Sequence, residues 1–159
     1  MSDSIEVFGL LPHRYPILLV DHVLESAPPH RVVTAKTITC TELCYSTQPE
    51  GSGCRSRCAY PPTLLLESFI QSCGILWRLD LQYRGEDLTG LLIFGSARDV
   101  VFHRPAFPGQ TVRHEVRLDD VRGNSAFMSG ESWVDDKKLA TIGGAVTVAR
   151  PTKVLEGAR

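Results

Sequence analysis

One carboxylate in this chain stands where chemistry is easier to explain than packing. The run T-L-L-L-E-S-F-I-Q-S-C-G-I-L-W-R-L, Thr63 to Leu79, is apolar nearly all round except at Glu67 and Gln71. An unpaired carboxylate in such surroundings is costly to bury and tends to take up a proton. Two readings follow. Glu67 is an acid/base group facing a substrate tunnel, or it is a carboxylate that hydrogen-bonds loop backbone and does no chemistry. General acid–base catalysis moves protons through positioned side chains, histidine most often, yet no histidine occurs between Arg31 and Phe102. His22 and His114 fall on alternating segments and are expected to be half-exposed. His103, before Arg104-Pro105, reads as a surface residue.

The cysteines offer a different chemistry. Cys54 and Cys58 share a segment with Arg55 and Arg57, and Cys40 and Cys44 would complete a set of four. Cysteines three or four apart can hold zinc, and neighbouring cations lower a thiol's pKa. The tight two-residue spacing is missing, so free thiols in a loop are the expectation, with no metal and no cofactor. Five cysteines, an odd number, also argue against a disulfide framework.

The elements that must position these residues follow from periodicity and breakers. Pro61 and Pro62 precede the apolar run, and proline suits a first helical position. A helix hydrophobic on every side is a buried helix, expected over Pro62 to Asp80. Strands are expected at Ile17–Glu25, ended by Pro28-Pro29, and at Arg31–Thr39. The stretch from Glu42 to Tyr60, with Pro49, Gly51, Ser52 and Gly53, reads as a loop. Four strands follow: Leu91–His103 with a break at Gly95, Gln110–Val121, Ser125–Val134 and Lys138–Ala149. Val112, His114, Val116 and Leu118 share one face of the second. Asp135-Asp136-Lys137 makes a tight turn. Two strands, a buried helix and a four-strand meander imply an α+β domain, an antiparallel sheet wrapped around one long central helix.

Bulk properties fit one globular domain over residues 1–159, with a core from about 10 to 149. Hydrophobic residues make up 43% and charged residues 22%. A net charge of -1 gives no global field to recruit nucleic acid. No apolar run reaches bilayer length, and the acidic start M-S-D-S-I-E-V has no signal-peptide core. A cytoplasmic location without membrane partners is the expectation.

Three strings carry a family resemblance. L-P-H-R-Y-P-I-L-L-V-D-H-V-L-E (Leu11–Glu25) resembles the opening signature of the FabZ/FabA-type (3R)-hydroxyacyl-ACP dehydratases. A-R-D-V-V-F-H-R-P-A-F-P-G-Q (Ala97–Gln110) resembles that family's strand and proline-glycine turn. L-L-L-E-S-F-I-Q-S-C-G-I-L (Leu64–Leu76) is similar to its helix. The resemblance runs from about Leu10 to Val148. It implies a hotdog fold, a dimer joined sheet edge to sheet edge, and a substrate carried as a thioester on acyl carrier protein. It implies Glu67 as the catalytic acid, Gln71 and the helix start at Pro62 and Thr63 as substrate-binding positions, and His13 as a structural residue. Arg55, Arg57, Arg104, Lys137 and Lys138 are the basic residues to consider for the acidic carrier protein. Phe94, Phe102, Phe107 and Trp77 are expected in the core rather than along an acyl tunnel, although in a hotdog protein the two overlap.

Two departures stand out. The family's catalytic histidine, in a G-H-F-P-G string before the helix, has no counterpart. Counting back from Glu67 places it at Gly53; counting forward from Thr41-Glu42 places it near Gln48. The family's glycine at the first helical turn, whose N–H polarises the thioester carbonyl, is here Pro62, which has no N–H. One such donor is commonly worth roughly 2.7–4 kcal/mol of barrier. The helix dipole and the Thr63 N–H are what remain. In that family the histidine and the acid of one site come from different subunits. Three functions are therefore in play. The chain supplies Glu67 to a dehydratase of polyketide or fatty-acid assembly whose histidine comes from a homologous partner. Or it is a non-catalytic acyl-ACP-binding or partner-stabilising protein, as a homodimer or heterodimer. Or it is an acyl-thioesterase, which Pro62 disfavours.

Overall fold

The computed structural model describes residues 6–46, 58–86 and 90–151. Its elements are α1 (Val7–Leu10), β1 (His22–Ala27), β2 (Arg31–Thr37), a 3-10 turn (Leu43–Tyr45), α2 (Pro62–Tyr83), β3 (Gly90–Phe102), β4 (Thr111–Arg122), β5 (Ser125–Val134) and β6 (Lys137–Pro151).

α2 forms where the apolar run demands it. Pro62 occupies the first turn, and the Leu64 and Leu65 N–H groups turn back to Pro61 O. The helix outlasts the expected end at Asp80 by three residues. It stops where Gly85 takes φ +70° and the Glu86 N–H closes onto Leu81 O, a left-handed cap that glycine adopts without steric cost. At about 1.5 Å per residue its 22 residues span roughly 33 Å.

The sheet has six antiparallel strands in the order β1-β2-β4-β5-β6-β3. β4, β5 and β6 form a meander, but β3 does not begin it. β3 pairs with β6 instead, from Gly90↔Pro151 to Phe102↔Ala140, which corrects the four-strand meander expected from the sequence. The reason is spatial. β4 takes the position beside β2 along Arg31↔Arg117 to Thr37↔Thr111, which leaves β3 to pair on the far side of β6, and alternation along a strand carries no signal for this order. Among the described residues β3 is thus an edge strand, with no neighbour on its outer side.

The inner face of the sheet alternates as a half-buried surface should. Ala126, Met128, Gly130, Ser132 and Val134 of β5 point to α2, as do Val112, His114 and Val116 of β4. The core joins these to Phe69, Cys73, Leu76 and Trp77 of the helix. Gly130 permits the closest approach, since a Cβ there would strike Glu115 O and the Phe69 ring. This is the hotdog architecture, α+β, with one long helix held in an antiparallel sheet.

Candidate active site

Glu67 is set by its neighbours on α2. Gln71, one turn on, donates from Nε2 to Glu67 Oε1 (2.9 Å) and to Ile17 O (2.7 Å). Its Oε1 accepts from the Leu19 N–H at 2.9 Å. Ser68 Oγ donates to Leu19 O at 2.6 Å. Two helix side chains therefore satisfy the backbone of the 17–19 segment. That corrects the strand expected from Ile17. β1 starts only at His22, because the polar groups upstream find partners on α2 and have no need of a ladder. The same clamp holds the preceding turn over Glu67. His13 Nε2 lies 3.9 Å from Glu67 Oε1, with both side chains one-third exposed. This is ion-pair range and too long for a hydrogen bond. His13 Nδ1 is buried and has no partner among the described residues.

Glu67 opens onto a cavity of about 210 Å³ between the N-terminal segment, α2 and the outer strands. Leu11, His13, Ile70, Leu92 and Phe94 line it with Glu67. Gly74 helps keep it open, since an added Cβ would touch Leu11 and Leu92.

Behind Glu67 runs a buried polar chain. Ser68 Oγ gives its proton to Leu19 O, so His114 Nε2 must be the donor in its 2.9 Å contact with Ser68 Oγ. His114 Nδ1 then accepts from Ser132 Oγ at 2.8 Å. Ser72 Oγ donates to Ser68 O, so Thr34 Oγ1 donates to Ser72 Oγ at 2.7 Å. The neutral Nε2–H tautomer is fixed by partners alone. Burial pushes the His114 pKa down to about 3. His114 is fully buried and not half-exposed as expected, because Ser68 and Ser132 supply both hydrogen bonds that water would have made. His22 is exposed.

Of the other expected positions, Pro62 and Thr63 stand within about one and a half turns of Glu67 on α2, but Pro62 borders a different cavity, which meets the far end of β3. Pro62, with Tyr60, Leu65, Phe102, His103 and Arg104, lines a second cavity of about 300 Å³ at the start of α2. Thr63 is exposed there, and its N–H precedes the first two that turn back to Pro61 O. His103 Nε2 sits 2.9 Å from Thr141 Oγ1 on the outer face. The structure thus brings Glu67 and Gln71 together on one cavity, with Pro62 on another and Thr63 one helical turn before Glu67. Trp77 is core, as expected, but Phe94 and Phe102 are about two-fifths exposed and line the two cavities. Both belong to β3, the strand at the edge of the sheet.

Of the cysteines, Cys40 is exposed, Cys44 and Cys58 are half-buried, and Cys73 is buried, where desolvation raises its thiol pKa. Among the described residues no three His, Cys, Asp or Glu side chains are grouped to hold a metal ion. Lys138 is engaged with Glu131 at 2.7 Å and lies over the Trp133 ring. Gln48, Gly53, Cys54, Arg55 and Arg57 lie outside the described residues. Among the described residues no helix is long and apolar enough to cross a membrane.

The proximity of His13 to Glu67 was not legible beforehand, since 54 residues separate them in sequence. Thr147, which also lines the Glu67 cavity, carries no signal beyond strand alternation.

Comparison with known proteins bears on the family and the fold. Residues 11–143 match the family model described as a FabA-like domain. The chain is 32% identical over 156 residues to the 3-hydroxyacyl-[acyl-carrier-protein] dehydratase FabZ of Legionella pneumophila (strain Corby), covering 96% of this chain and 99% of that one. It is 30% identical to the FabZ of Koribacter versatilis, covering 95% and 92%. Among solved structures it is similar to the dehydratase heterocomplex ApeI:P from Xenorhabdus doucetiae, with a TM-score of 0.78, 19% identity and 96% of each chain covered. A likeness at that identity speaks for the fold. The matching family model and the FabZ relatives together show that the chain belongs to the FabZ/FabA-type hydroxyacyl-ACP dehydratase family.

Proposed function

We propose that this chain is one subunit of a β-hydroxyacyl-ACP dehydratase of polyketide or fatty-acid assembly, supplying Glu67 to a composite site whose histidine comes from a homologous partner. The observation that carries the reading is the division of the site along β3. The Glu67 cavity meets Leu92 and Phe94 near one end of that edge strand, and the helix-start cavity meets Phe102 at the other. If a partner's equivalent strand pairs antiparallel with β3 about a two-fold axis, each Glu67-type cavity faces the partner's helix start. The exposed Leu91, Ile93, Val101 and Phe102 support such pairing, because an uncovered apolar edge strand is a template for another chain. The similar solved structure is itself a dehydratase heterocomplex.

The chemistry follows. The partner's histidine removes the proton on C2. The electron pair of that bond forms the C2–C3 double bond as the C3–O bond breaks. Glu67 gives its proton to the departing hydroxyl, which leaves as water. Gln71 keeps the Glu67 carboxyl in register by holding Oε1, and Oε2 remains for the substrate. The helix start of the partner polarises the thioester carbonyl. In the reciprocal site this chain's Pro62 offers no N–H there, so one site per dimer is competent.

The test is dehydration of a β-hydroxyacyl-ACP by this chain mixed with a histidine-bearing homologue. Glu67→Gln is expected to lower kcat by about 10²–10⁴-fold while acyl-ACP affinity is kept. Equal activity of the variant mixture refutes the role. A non-catalytic acyl-ACP binder, the second reading, is favoured by Pro62 and gives that silent result.

A further inference from the structure

The Glu67 cavity holds a polar group that neither the fold nor the proposed reaction uses. Thr147 on β6 is 3% exposed and lines the cavity with Glu67, Leu92 and Phe94. Among the described residues its Oγ1 has no hydrogen-bond partner. A buried hydroxyl without a partner is unfavourable by about 1–3 kcal/mol, and buried polar atoms in folded proteins are nearly always satisfied. The two nearest strand partners offer nothing: Thr147 pairs with Phe94 on one side and Ala126 on the other. His13 Nδ1, the other buried and unpartnered atom on this cavity, sits at the Glu67 end. The remaining lining is mainly Leu10, Leu11, Ile70, Leu92 and Phe94, a surface suited to methylenes.

A cavity that is apolar along its walls, with an acid at one place and an unused hydroxyl at another, matches a chain with oxygen at two places. We propose that Thr147 is a specificity-determining residue, and that its hydroxyl hydrogen-bonds a polar substituent of the acyl chain beyond the reacting carbons. This rests on the reading that the Glu67 cavity receives the acyl group. The ligand class is a thioester-borne acyl chain of modest length bearing a hydroxyl or carbonyl remote from C3. The volume, about 210 Å³, lies below the roughly 300–1,000 Å³ of common ligand pockets and sets the modest length.

The experiment uses two unreactive probes of equal length, octanoyl-pantetheine and 7-hydroxyheptanoyl-pantetheine, which differ by a terminal methyl or hydroxyl. Affinities for the purified chain are measured by calorimetry for wild type, Thr147→Val and Thr147→Ser. Valine keeps the branched shape and removes the hydroxyl; serine keeps the hydroxyl. The preference for the hydroxylated probe is expected to fall about two- to tenfold in Thr147→Val and to persist in Thr147→Ser. An unchanged preference in Thr147→Val, or failure of both probes to bind, overturns the proposal. Since neither probe can be dehydrated, the result stands apart from the Glu67→Gln assay, which alone decides the catalytic reading.

Discussion

His114 links the fold's stability to pH in a way that can be worked out from its surroundings. Its two ring nitrogens meet only Ser68 and Ser132 hydroxyls, its ring packs edge-on against Phe69, and it is fully buried. Its pKa falls from 6.5 to about 3 because burial penalises the imidazolium. The unfolded chain therefore binds a proton below pH 6.5 that the folded chain refuses until about pH 3. Stability rises with pH wherever the unfolded state holds more protons. This contribution is fully present above pH 6.5 and is lost as pH falls towards 3. One unit is worth about 1.36 kcal/mol, so between pH 7 and pH 5 the loss is about 2 kcal/mol. Urea unfolding at both pH values, for wild type and His114→Gln, isolates the effect, since the other titrating groups are shared. Wild type should lose about 2 kcal/mol more than the variant across that interval. Equal losses would mean that His114 is charged or solvated in the folded chain, and its hydrogen bonds to Ser68 and Ser132 would have to be abandoned. The consequence reaches the site, because Ser68 adjoins Glu67.

Other perturbations test other parts of the account. Gln71→Leu leaves Ile17 O and Leu19 N–H without partners and should cost about 3 kcal/mol, measured by denaturant unfolding; it should also lower kcat of the mixed complex more than it changes KM. Val101→Lys on the uncovered β3 edge should leave monomer stability within about 0.5 kcal/mol yet abolish association with the partner in sedimentation velocity. Gly130→Ala drives a Cβ into Glu115 O and the Phe69 ring and should destabilise by about 3 kcal/mol or more in thermal unfolding.

The sequence exposes what is local and periodic and hides what depends on distant partners. α2 is legible because 22 residues carry one pattern and a proline marks the start. β4 and β5 are legible through alternation, and His114 falls on the inner face that its spacing with Val112 and Val116 implies. Its burial is not legible, because that requires Ser68 and Ser132, which lie 46 and 18 residues away. The 17–20 run looks like a strand since apolar runs do not reveal whether a ladder or a helix side chain satisfies the backbone. α1 is too short to show a period. Strand order is invisible to pattern, so the edge position of β3, and with it the exposure of Phe94 and Phe102, appears only in three dimensions. Glu67 and Gln71 are conspicuous as exceptions in an apolar helix. His13 and Thr147 are not, since each is ordinary in its own segment and acquires meaning only from the cavity they share.

The central claim is that this chain completes a dehydratase site only with an unlike partner. The most direct measurement is the rate of enoyl-ACP formation from a (3R)-hydroxyacyl-ACP by the chain alone, by a histidine-bearing homologue carrying an acid-to-amide substitution in its own helix, and by the two together. The account predicts that neither protein alone forms product and that the mixture does, with the gain abolished by Glu67→Gln. Turnover by this chain alone, or a mixture as inactive as its components, would contradict it.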